Sequence, residues 1–205
     1  QDRKLLDWYR RQIEKLGIEV KYNTEIKDIT TLDADEVVIA TGAVAKKLNI
    51  KGIEHSVEAI DFLNKTKQVG ERVAIIGGGL TGCEIAYELS LSKKKPIIIE
   101  AKQDLMAVRG LCLANSSYLR DYFKHNDVPV FLESSVKEIR DDAIVIVDKD
   151  GTEHTEPVDS VITCVGYDPN PIAKENKHVH IVGDALKVGN LRTVVWRAWE
   201  VAEKI

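Results

Sequence analysis

The sequence has few aromatic residues and few cysteines, and it has no long apolar run. Aromatic side chains make up 6% of the 205 residues, and none of the three cysteines sits in a Cys-x-x-Cys pair. The pattern therefore predicts neither a disulfide framework nor a zinc site nor a dithiol redox centre. No apolar run reaches the roughly 20 residues that cross a bilayer, and no segment has the form of a signal peptide. We expect a cytoplasmic protein without a membrane span or a metal site.

Charge and composition narrow the function classes further. The chain is 44% hydrophobic and 30% charged, which is typical of a globular protein of one large or two small domains. A net charge of −4 provides no basic field, so no nucleic-acid partner is expected. The chain begins at Gln1 without a methionine, which suggests a piece of a longer protein.

A glycine-rich segment indicates a ligand-binding site. It lies between an apolar stretch, Arg72–Ile76, and a helix predicted at residues 84–91. Its first glycine permits a tight turn, the second lets the backbone approach a pyrophosphate, and the third lets the helix pack closely on the strand. The helix amides would face the phosphates. The segment consists of Gly77, Gly78, Gly79, Leu80, Thr81 and Gly82.

A second apolar strand, predicted at residues 97–99, ends in Glu100. A carboxylate at this place can accept hydrogen bonds from an adenosine ribose. It would repel a 2′-phosphate, so the site favours NADH over NADPH. An ordinary glycine turn is the alternative, but both flanking strands and the acid fit one βαβ unit. A P-loop is excluded because no Gly-Lys-Ser/Thr follows the glycines.

Helical and strand-like patterns alternate along the rest of the chain. They predict an α/β fold, with a doubly wound parallel sheet over about residues 70–165 and a small β-meander within it. Asn115 and Ser116 are the expected cap residues of one helix. Helices are predicted at residues 2–16, 61–67, 115–126 and 191–205, and strands at residues 18–22, 36–40, 72–76, 97–99, 128–132, 136–139, 143–147, 161–165 and 178–182.

Together these segments resemble the two-dinucleotide flavoprotein reductases of the glutathione-reductase type. In that family an FAD domain is interrupted by an NAD(P)H domain. The resemblance therefore implies that residues 1–69 are the remainder of the first part of an incomplete, Rossmann-like FAD-binding domain, that residues 70–165 form the inserted NAD(H)-binding domain, and that residues 166–205 return to the FAD-binding domain. It is carried by Val37, Val38, Ile39, Ala40, Thr41 and Gly42, by the glycine loop with Glu84 after it, by Val165, Gly166, Tyr167, Asp168, Pro169 and Asn170, and by Val182, Gly183 and Asp184.

The resemblance also implies roles for these residues. The FAD ribityl chain would lie near Asp184 and its pyrophosphate near the backbone of Gly183. The segment from Ala40 through Thr41 to Gly42 would pass the flavin adenine, and the amides of residues 191–193 would face the flavin ring. Glu84 would meet the nicotinamide, with a solvent-exposed helix carboxylate as the alternative. Hydride transfer to FAD needs no acid or base, so no catalytic residue is nominated and the five histidines are expected at the surface or in strands.

Within this group the opening helix, residues 8–16, and the Gly17, Ile18, Glu19 and Val20 that follow it look most like the C-terminal portion of the iron–sulfur old yellow enzyme family. That family includes the 2,4-dienoyl-CoA reductase, 2-enoate reductase and trimethylamine dehydrogenase relatives. This implies a parent enzyme in which NADH reduces FAD, and electrons pass through an iron–sulfur cluster to FMN in a barrel domain and on to a conjugated C=C substrate. The barrel, the cysteine cluster and a first flavin-binding glycine loop are absent from this sequence.

These differences from the family pattern leave two other interpretations of the chain open. One is a truncated nucleotide-binding module or subunit without flavin or activity of its own. The other is a subunit whose missing strand is supplied by a partner chain, since an uncovered sheet edge invites pairing. A homo-oligomer also stays open.

Overall fold

The computed structural model describes residues 2–108 and 110–205. Its elements follow the predicted alternation of helices and strands. In chain order they are α1 (Asp2–Lys15), β1 (Val37–Ile39), β2 (Ala43–Ala45), β3 (Ser56–Glu58), α2 (Ala59–Leu63), β4 (Arg72–Ile76), α3 (Leu80–Leu91), β5 (Lys95–Ile99), α4 (Leu113–His125), β6 (Val130–Phe131), β7 (Ser135–Ile139), β8 (Ala143–Val147), β9 (Glu153–Pro157), β10 (Ser160–Thr163), β11 (Tyr167–Pro169), β12 (Val179–Ile181) and α5 (Leu191–Ala202).

The centre of the fold is a five-stranded parallel sheet with the strand order β3-β10-β4-β5-β6. Strand β4 lies in the middle and pairs with β10 on one side and β5 on the other. Its Val73, Ala74 and Ile75 are fully buried. A continuous apolar run of this kind is what a parallel strand covered on both faces requires.

The two faces of this sheet are covered by different elements. Val73 and Ile75 pack against helices α3 and α4, while the alternate residues Ala74 and Ile76 pack against the β7-β8-β9 meander. This alternation follows from the two-residue period of a strand. The α/β, Rossmann-like parallel sheet with a β-meander predicted from the sequence is confirmed.

Strand β3 comes from residues before position 70, yet it pairs in parallel with β10. The five-stranded sheet thus draws on chain from both sides of the boundary expected near residue 70. The division of the chain into residues 1–69, 70–165 and 166–205 stays a prediction.

Two smaller pairings lie beside the main sheet. Strands β1 and β12 pair in parallel around a small core of Ile39, Val179 and Ile181. Strands β2 and β11 form an antiparallel ribbon. Just before β2 the Thr41 hydroxyl donates a 2.6 Å hydrogen bond to the carbonyl oxygen of Asn170, which follows β11. The two segments that carry the family resemblance on either side of the nucleotide unit are therefore joined directly.

The strand predicted at residues 18–22 is wrong. Its apolar residues alternate as expected, but Ile18, Val20 and Tyr22 are exposed, and Tyr22 is 81% exposed. A strand needs a neighbour for its backbone N–H and C=O groups. Within the described residues this segment pairs with no strand, and the alternation alone did not reveal that.

The cap residues expected for α4 are also wrong. The helix begins at Leu113, and Cys112 precedes it without making a side-chain cap hydrogen bond. Ser116 is buried within the first turns, where its hydroxyl donates a 3.2 Å bond to the Leu113 carbonyl. The helix therefore starts two residues before Asn115, and both expected cap residues lie inside its first turns.

The first and last helices keep large apolar side chains at the surface. In α1, Leu6 is 53% and Trp8 47% exposed, and in α5, Trp196 is 66% and Trp199 65% exposed. Neither helix contributes to the core of the five-stranded sheet. Across residues 2–108 and 110–205, no helix combines the length and the apolar character that a bilayer crossing needs.

Candidate dinucleotide site

A cavity of about 800 Å³ opens at the carboxyl ends of β4, β5 and β10. Open α/β sheets bind their ligands at this edge, and the volume lies in the usual range of small-molecule sites, roughly 300–1,000 Å³. The fold brings predicted site residues from four separate segments to its wall. They are Gly77, Gly79, Leu80, Thr81, Glu100, Gly166 and Asp184.

Two glycines of the loop are required by the protein itself. Gly77 has φ +107°, and a Cβ atom there would lie 2.5 Å from the carbonyl oxygen of Cys164. At Gly82, a Cβ atom would lie 2.0 Å from the Gly77 carbonyl oxygen. These residues allow the tight turn from β4 and the close seating of α3 on it, as the sequence predicts.

Gly79 is different, because neither its backbone conformation nor its packing requires a glycine. Its backbone is extended, with φ −68° and ψ −177°, a conformation open to any residue. A Cβ atom there would meet no atom within 4 Å. Gly79 lines the cavity directly before the first turn of α3. The bare backbone therefore borders open space, and a side chain at this point would project into the cavity at the start of α3.

The amides around Gly79 give this part of the cavity its electrostatic character. The first N–H groups of a helix have no carbonyl partner one turn earlier, and they lie at the positive end of the helix dipole. In α3 these belong to Leu80, Thr81 and Gly82, and the first two line the cavity. An anionic group of a ligand can accept hydrogen bonds from them.

Glu100 at the end of β5 is held in place by the backbone. Its Oε2 accepts a 2.6 Å hydrogen bond from the Gly78 amide, and its Oε1 accepts a 2.8 Å bond from the Lys102 amide. Gly78 itself has no room for a side chain, because a Cβ atom there would lie 2.5 Å from the Leu105 Cδ2 atom. The carboxylate is therefore fixed at the cavity wall beside the glycine loop.

The segment after β12 contributes Asp184, Val188 and Gly189 to the same cavity. Asp184 lines it, and its Oδ1 accepts a 3.0 Å hydrogen bond from the Gly189 amide. Gly183 has φ +60° and turns the chain into a short 3₁₀ helix. Residues 191–193 begin α5, where the Thr193 amide donates to the Asn190 side chain in a capping box. That amide is therefore already engaged within the chain.

The remaining predicted residues lie off the cavity wall. The backbone of Gly42 accepts a 3.0 Å bond from the Asn170 amide beside the Thr41 contact, and Ala40 precedes them in the same connection. Glu84 is exposed on α3, where partial burial raises the pKa of its carboxyl group. Among the described residues, the cavity lining includes none of the predicted positions Ala40, Thr41, Gly42, Gly78, Gly82, Glu84 and Gly183. The assignment of all these residues to ligands stays a prediction.

Other cavity residues were not nominated from the sequence. Lys46 and Tyr167 come from the β2-β11 ribbon, Lys102 follows Glu100 by two positions, and Ser134 and Ser135 stand at the start of the meander. Tyr167 lies inside a motif that carries the family resemblance, so a signal for it existed. The serines and Lys46 have no local pattern and reach the cavity only through the tertiary fold.

The cysteines behind the glycine loop are not a redox pair in this arrangement. Burial raises the pKa of the Cys83 thiol and of the Cys164 thiol to about 12, so both stay protonated near neutral pH. The Cys83 thiol donates a 3.4 Å bond to the Gly78 carbonyl. In the part of the chain that the structure describes, no group of three or more His, Cys, Asp or Glu side chains is placed to hold a metal ion.

Two of the histidines form a cluster away from the cavity. Nδ1 of His178 and Nε2 of His180 each lie 2.8 Å from an oxygen of the Glu36 carboxylate. These contacts lower the pKa of Glu36, and the hydrogen bond with His178 has the largest effect. The cluster links β12 to the residue that precedes β1, and it has a structural role in that pairing.

Comparison with known proteins identifies the family. The model of the pyridine nucleotide-disulphide oxidoreductases matches residues 29–188. The chain belongs to this family. Its members bind FAD and NAD(P)H, and the matched region contains both the glycine loop and the Gly183–Asp184 motif.

Individual relatives confirm the narrower resemblance to the C-terminal portion of the iron–sulfur old yellow enzyme family. A cinnamate reductase of Clostridium sporogenes is 36% identical over 212 residues, covering 100% of this chain and 32% of the relative. An NADH oxidase of Thermoanaerobacter brockii is 28% identical, over 97% of this chain and 32% of its own length.

Solved structures show the same relationship in three dimensions. A 2-naphthoyl-CoA reductase in complex with 2-naphthoyl-CoA matches 97% of this chain and 31% of its own, with a TM-score of 0.81 and 25% identity. Histamine dehydrogenase from Rhizobium sp. 4-9 matches 98% of this chain and 35% of its own at 15% identity and a TM-score of 0.72, which supports the fold alone. The chain thus spans about a third of the length of these relatives.

Proposed function

We propose that this chain binds NADH in the cavity and forms the NADH-accepting part of a flavin-dependent oxidoreductase. The observation that carries the proposal is Gly79, where the absence of a side chain has no reason in the protein's own packing and leaves room at the first amides of α3. A nicotinamide dinucleotide supplies the diphosphate that such a space suits.

The fixed carboxylate of Glu100 supports NADH over NADPH. It borders the cavity, and its two backbone hydrogen bonds prevent it from turning away. A ribose with free hydroxyls can donate hydrogen bonds to the remaining lone pairs of this carboxylate. A 2′-phosphate at the same place would bring two negative groups together in a half-buried setting, which is unfavourable.

On the flavin side, we propose that Asp184 and the Gly183 backbone hold part of an FAD molecule. The Asp184 carboxylate lies at the same cavity as the NADH site and can accept a ribityl hydroxyl hydrogen bond. When bound, the flavin would accept hydride from NADH and supply the redox chemistry. The residues of this chain bind and orient the two molecules, and no side chain is assigned to proton transfer. The division at residues 70 and 165 into NAD(H)-binding and FAD-binding parts, and a cytoplasmic location, belong to the same proposal.

The substrate of the whole enzyme is proposed by analogy with the relatives. The cinnamate reductase and the 2-naphthoyl-CoA reductase are named for unsaturated acids or their CoA esters. We accordingly propose that the electrons taken from NADH reduce a conjugated C=C bond in an enoate-like or enoyl-CoA-like compound. The barrel with FMN and the iron–sulfur cluster would belong to the remaining two thirds of such an enzyme.

A second function, NAD(H) binding without flavin chemistry, is favoured by one observation. Residues 1–205 contain a single Gly-x-Gly-x-x-Gly loop, at residues 77–82, which the NADH proposal already uses, so these residues offer a flavin diphosphate no loop of this kind. In this alternative the chain would bind NAD(H) as a module or subunit. Visible absorbance of the freshly purified protein at the flavin bands separates the two functions.

The binding proposal is tested by calorimetric titration of the chain with NADH. We expect saturable binding by the wild type and none by Gly79→Val, whose side chain would occupy the diphosphate space. Gly79→Ala serves as a graded control with a smaller group. Because a Cβ atom at this position meets no protein atom within 4 Å, Gly79→Ala should unfold at nearly the wild-type temperature, and a cooperative thermal transition shows that Gly79→Val is folded. Undiminished NADH affinity in a folded Gly79→Val protein contradicts the proposal.

A further inference from the structure

The end of the cavity opposite Glu100 contains an aromatic ring. Strand β11 begins at Tyr167, a few residues past the carboxyl end of β10. Strand order in the sheet is β10, β4, β5, so Tyr167 and Glu100 lie on opposite sides of the glycine loop that follows β4. A dinucleotide that crosses the loop with its adenosine ribose at Glu100 extends its other end toward β10.

The β2-β11 ribbon turns the Tyr167 side chain toward the cavity. Tyr167 pairs with Ala45 across the ribbon, and side chains of paired residues lie on the same face. Both residues are partly buried and both line the cavity. The next pair, Asp168 and Val44, points the other way and is exposed. The two-residue alternation of the ribbon thus directs the ring inward.

The surroundings of Tyr167 agree with this placement. Partial burial raises the pKa of its hydroxyl, and the nearby Cys164 and Glu58 add to that rise. Cys164 also lines the cavity and contacts the turn at Gly77. The ring is therefore close to the glycine loop and sheltered from water on one side.

We infer that Tyr167 is a positioning residue that packs its ring against the nicotinamide of the bound dinucleotide. The inference rests on the proposed NADH site and deepens it, because it assigns the nicotinamide half to a particular side chain. An offset stack between two flat rings is favourable by about 0.5–1.5 kcal/mol, which corresponds to about a 2- to 12-fold change in affinity. The stack would also fix the ring plane relative to a flavin.

ADP-ribose separates this role from general effects on the site, because it contains the adenosine and diphosphate groups of NADH without the nicotinamide. Calorimetric titrations of wild type and Tyr167→Ala with NADH and with ADP-ribose give four affinities. We expect the substitution to weaken NADH by about 3- to 10-fold and to leave ADP-ribose within about twofold. Tyr167→Phe keeps the ring and should bind both as the wild type does.

Two further variants control for folding and for the ribbon itself. Tyr167→Leu fills much of the same volume without an aromatic ring, and it should show the loss for NADH even if Tyr167→Ala is unstable. Val44→Ala alters the opposite face of the ribbon and should leave both affinities unchanged.

The outcomes distinguish failure of the inference from failure of the proposed function. Unchanged NADH affinity in Tyr167→Ala and Tyr167→Leu overturns the inference, and so does an equal loss for NADH and ADP-ribose. Absence of binding of either compound to the wild type overturns the proposed NADH site as well.

Discussion

The carboxylate of Glu100 accepts a 2.6 Å hydrogen bond from the backbone amide of Gly78, joining the end of β5 to the glycine loop after β4. This contact connects the two halves of the sequence motif, 22 residues apart. It also gives Glu100 two functions: it stabilises the conformation of the loop, and it presents a fixed negative charge at the cavity. Substitutions at this position should therefore change both the fold of the loop and the cofactor preference.

Replacing the acid tests the second of these functions. We expect Glu100→Arg to weaken NADH binding by roughly 10-fold or more, since hydrogen bonds to a charged group contribute about 1.5–3 kcal/mol. The loss for NADPH should be smaller, because the arginine can pair with a 2′-phosphate. Titration with both nucleotides measures the ratio of the NADH affinity to the NADPH affinity. Glu88→Arg, an exposed change of equal charge on α3, is the control, and an unchanged ratio in Glu100→Arg would exclude the specificity role.

Substitutions of Gly77, Gly79 and Gly82 in the glycine loop should differ in how much they lower the free energy of unfolding. Gly77→Ala combines a strained positive φ with a Cβ atom 2.5 Å from a backbone oxygen, and Gly82→Ala brings a Cβ atom 2.0 Å from another. Each should lower the free energy of unfolding by about 2 kcal/mol or more. Gly79→Ala should change it by less than about 0.5 kcal/mol. Urea unfolding of the three variants measures this, and equal losses would refute the distinction drawn between Gly79 and its neighbours.

Asp159 should make the stability depend on pH in the acid range. Its carboxylate accepts hydrogen bonds from the Arg72 guanidinium and from backbone amides, Arg72 having the largest effect, and these lower its pKa from 3.8 to about 2. Because the folded protein holds the charged form, the stabilisation is complete above the unfolded pKa and is lost as the pH falls through about 2.

We therefore expect Asp159→Asn to be less stable than the wild type at pH 7, and the difference to shrink as the pH decreases from about 4 to 2. Urea unfolding at several pH values measures it. Asp121→Asn, on the exposed side of α4, should show no such convergence. A constant difference between wild type and Asp159→Asn across this range would contradict the ion pair as its source.

The thiols should differ sharply in reactivity. Cys112 is exposed, whereas burial raises the pKa of both Cys83 and Cys164 to about 12, so few of their thiolates form at neutral pH. A thiol-specific reagent should modify one cysteine rapidly in the native protein and all three after denaturation. Cys112→Ser should remove the fast phase. A second fast thiol in that variant would show that the region behind the glycine loop is more open than the structure indicates.

The elements that could be predicted from the sequence are those in which local pattern and packing agree. Strand β4 is apolar from Val73 to Ile76 because both of its faces are buried there, and Gly77 after it has a positive φ and a close backbone contact that only glycine permits. The prediction of a strand at residues 18–22 was wrong because alternation does not specify a partner. The cap expected at Asn115 or Ser116 was wrong because the helix starts earlier, at Leu113, which places both residues inside its first turns.

By itself the sequence determined the parallel α/β unit, the glycine turn and the acid at the end of the second strand, because each follows from a short run of residues whose chemistry permits little else. The family was predicted from the resemblance of four motifs, in order, to known proteins. Only the tertiary structure decided that Asp184, Lys46 and Tyr167 share a cavity with the glycine loop, and that Glu100 is fixed by the Gly78 amide. The reason is physical: these contacts join segments that strand pairing and chain crossover bring together, and side-chain spacing along the chain contains no record of that pairing.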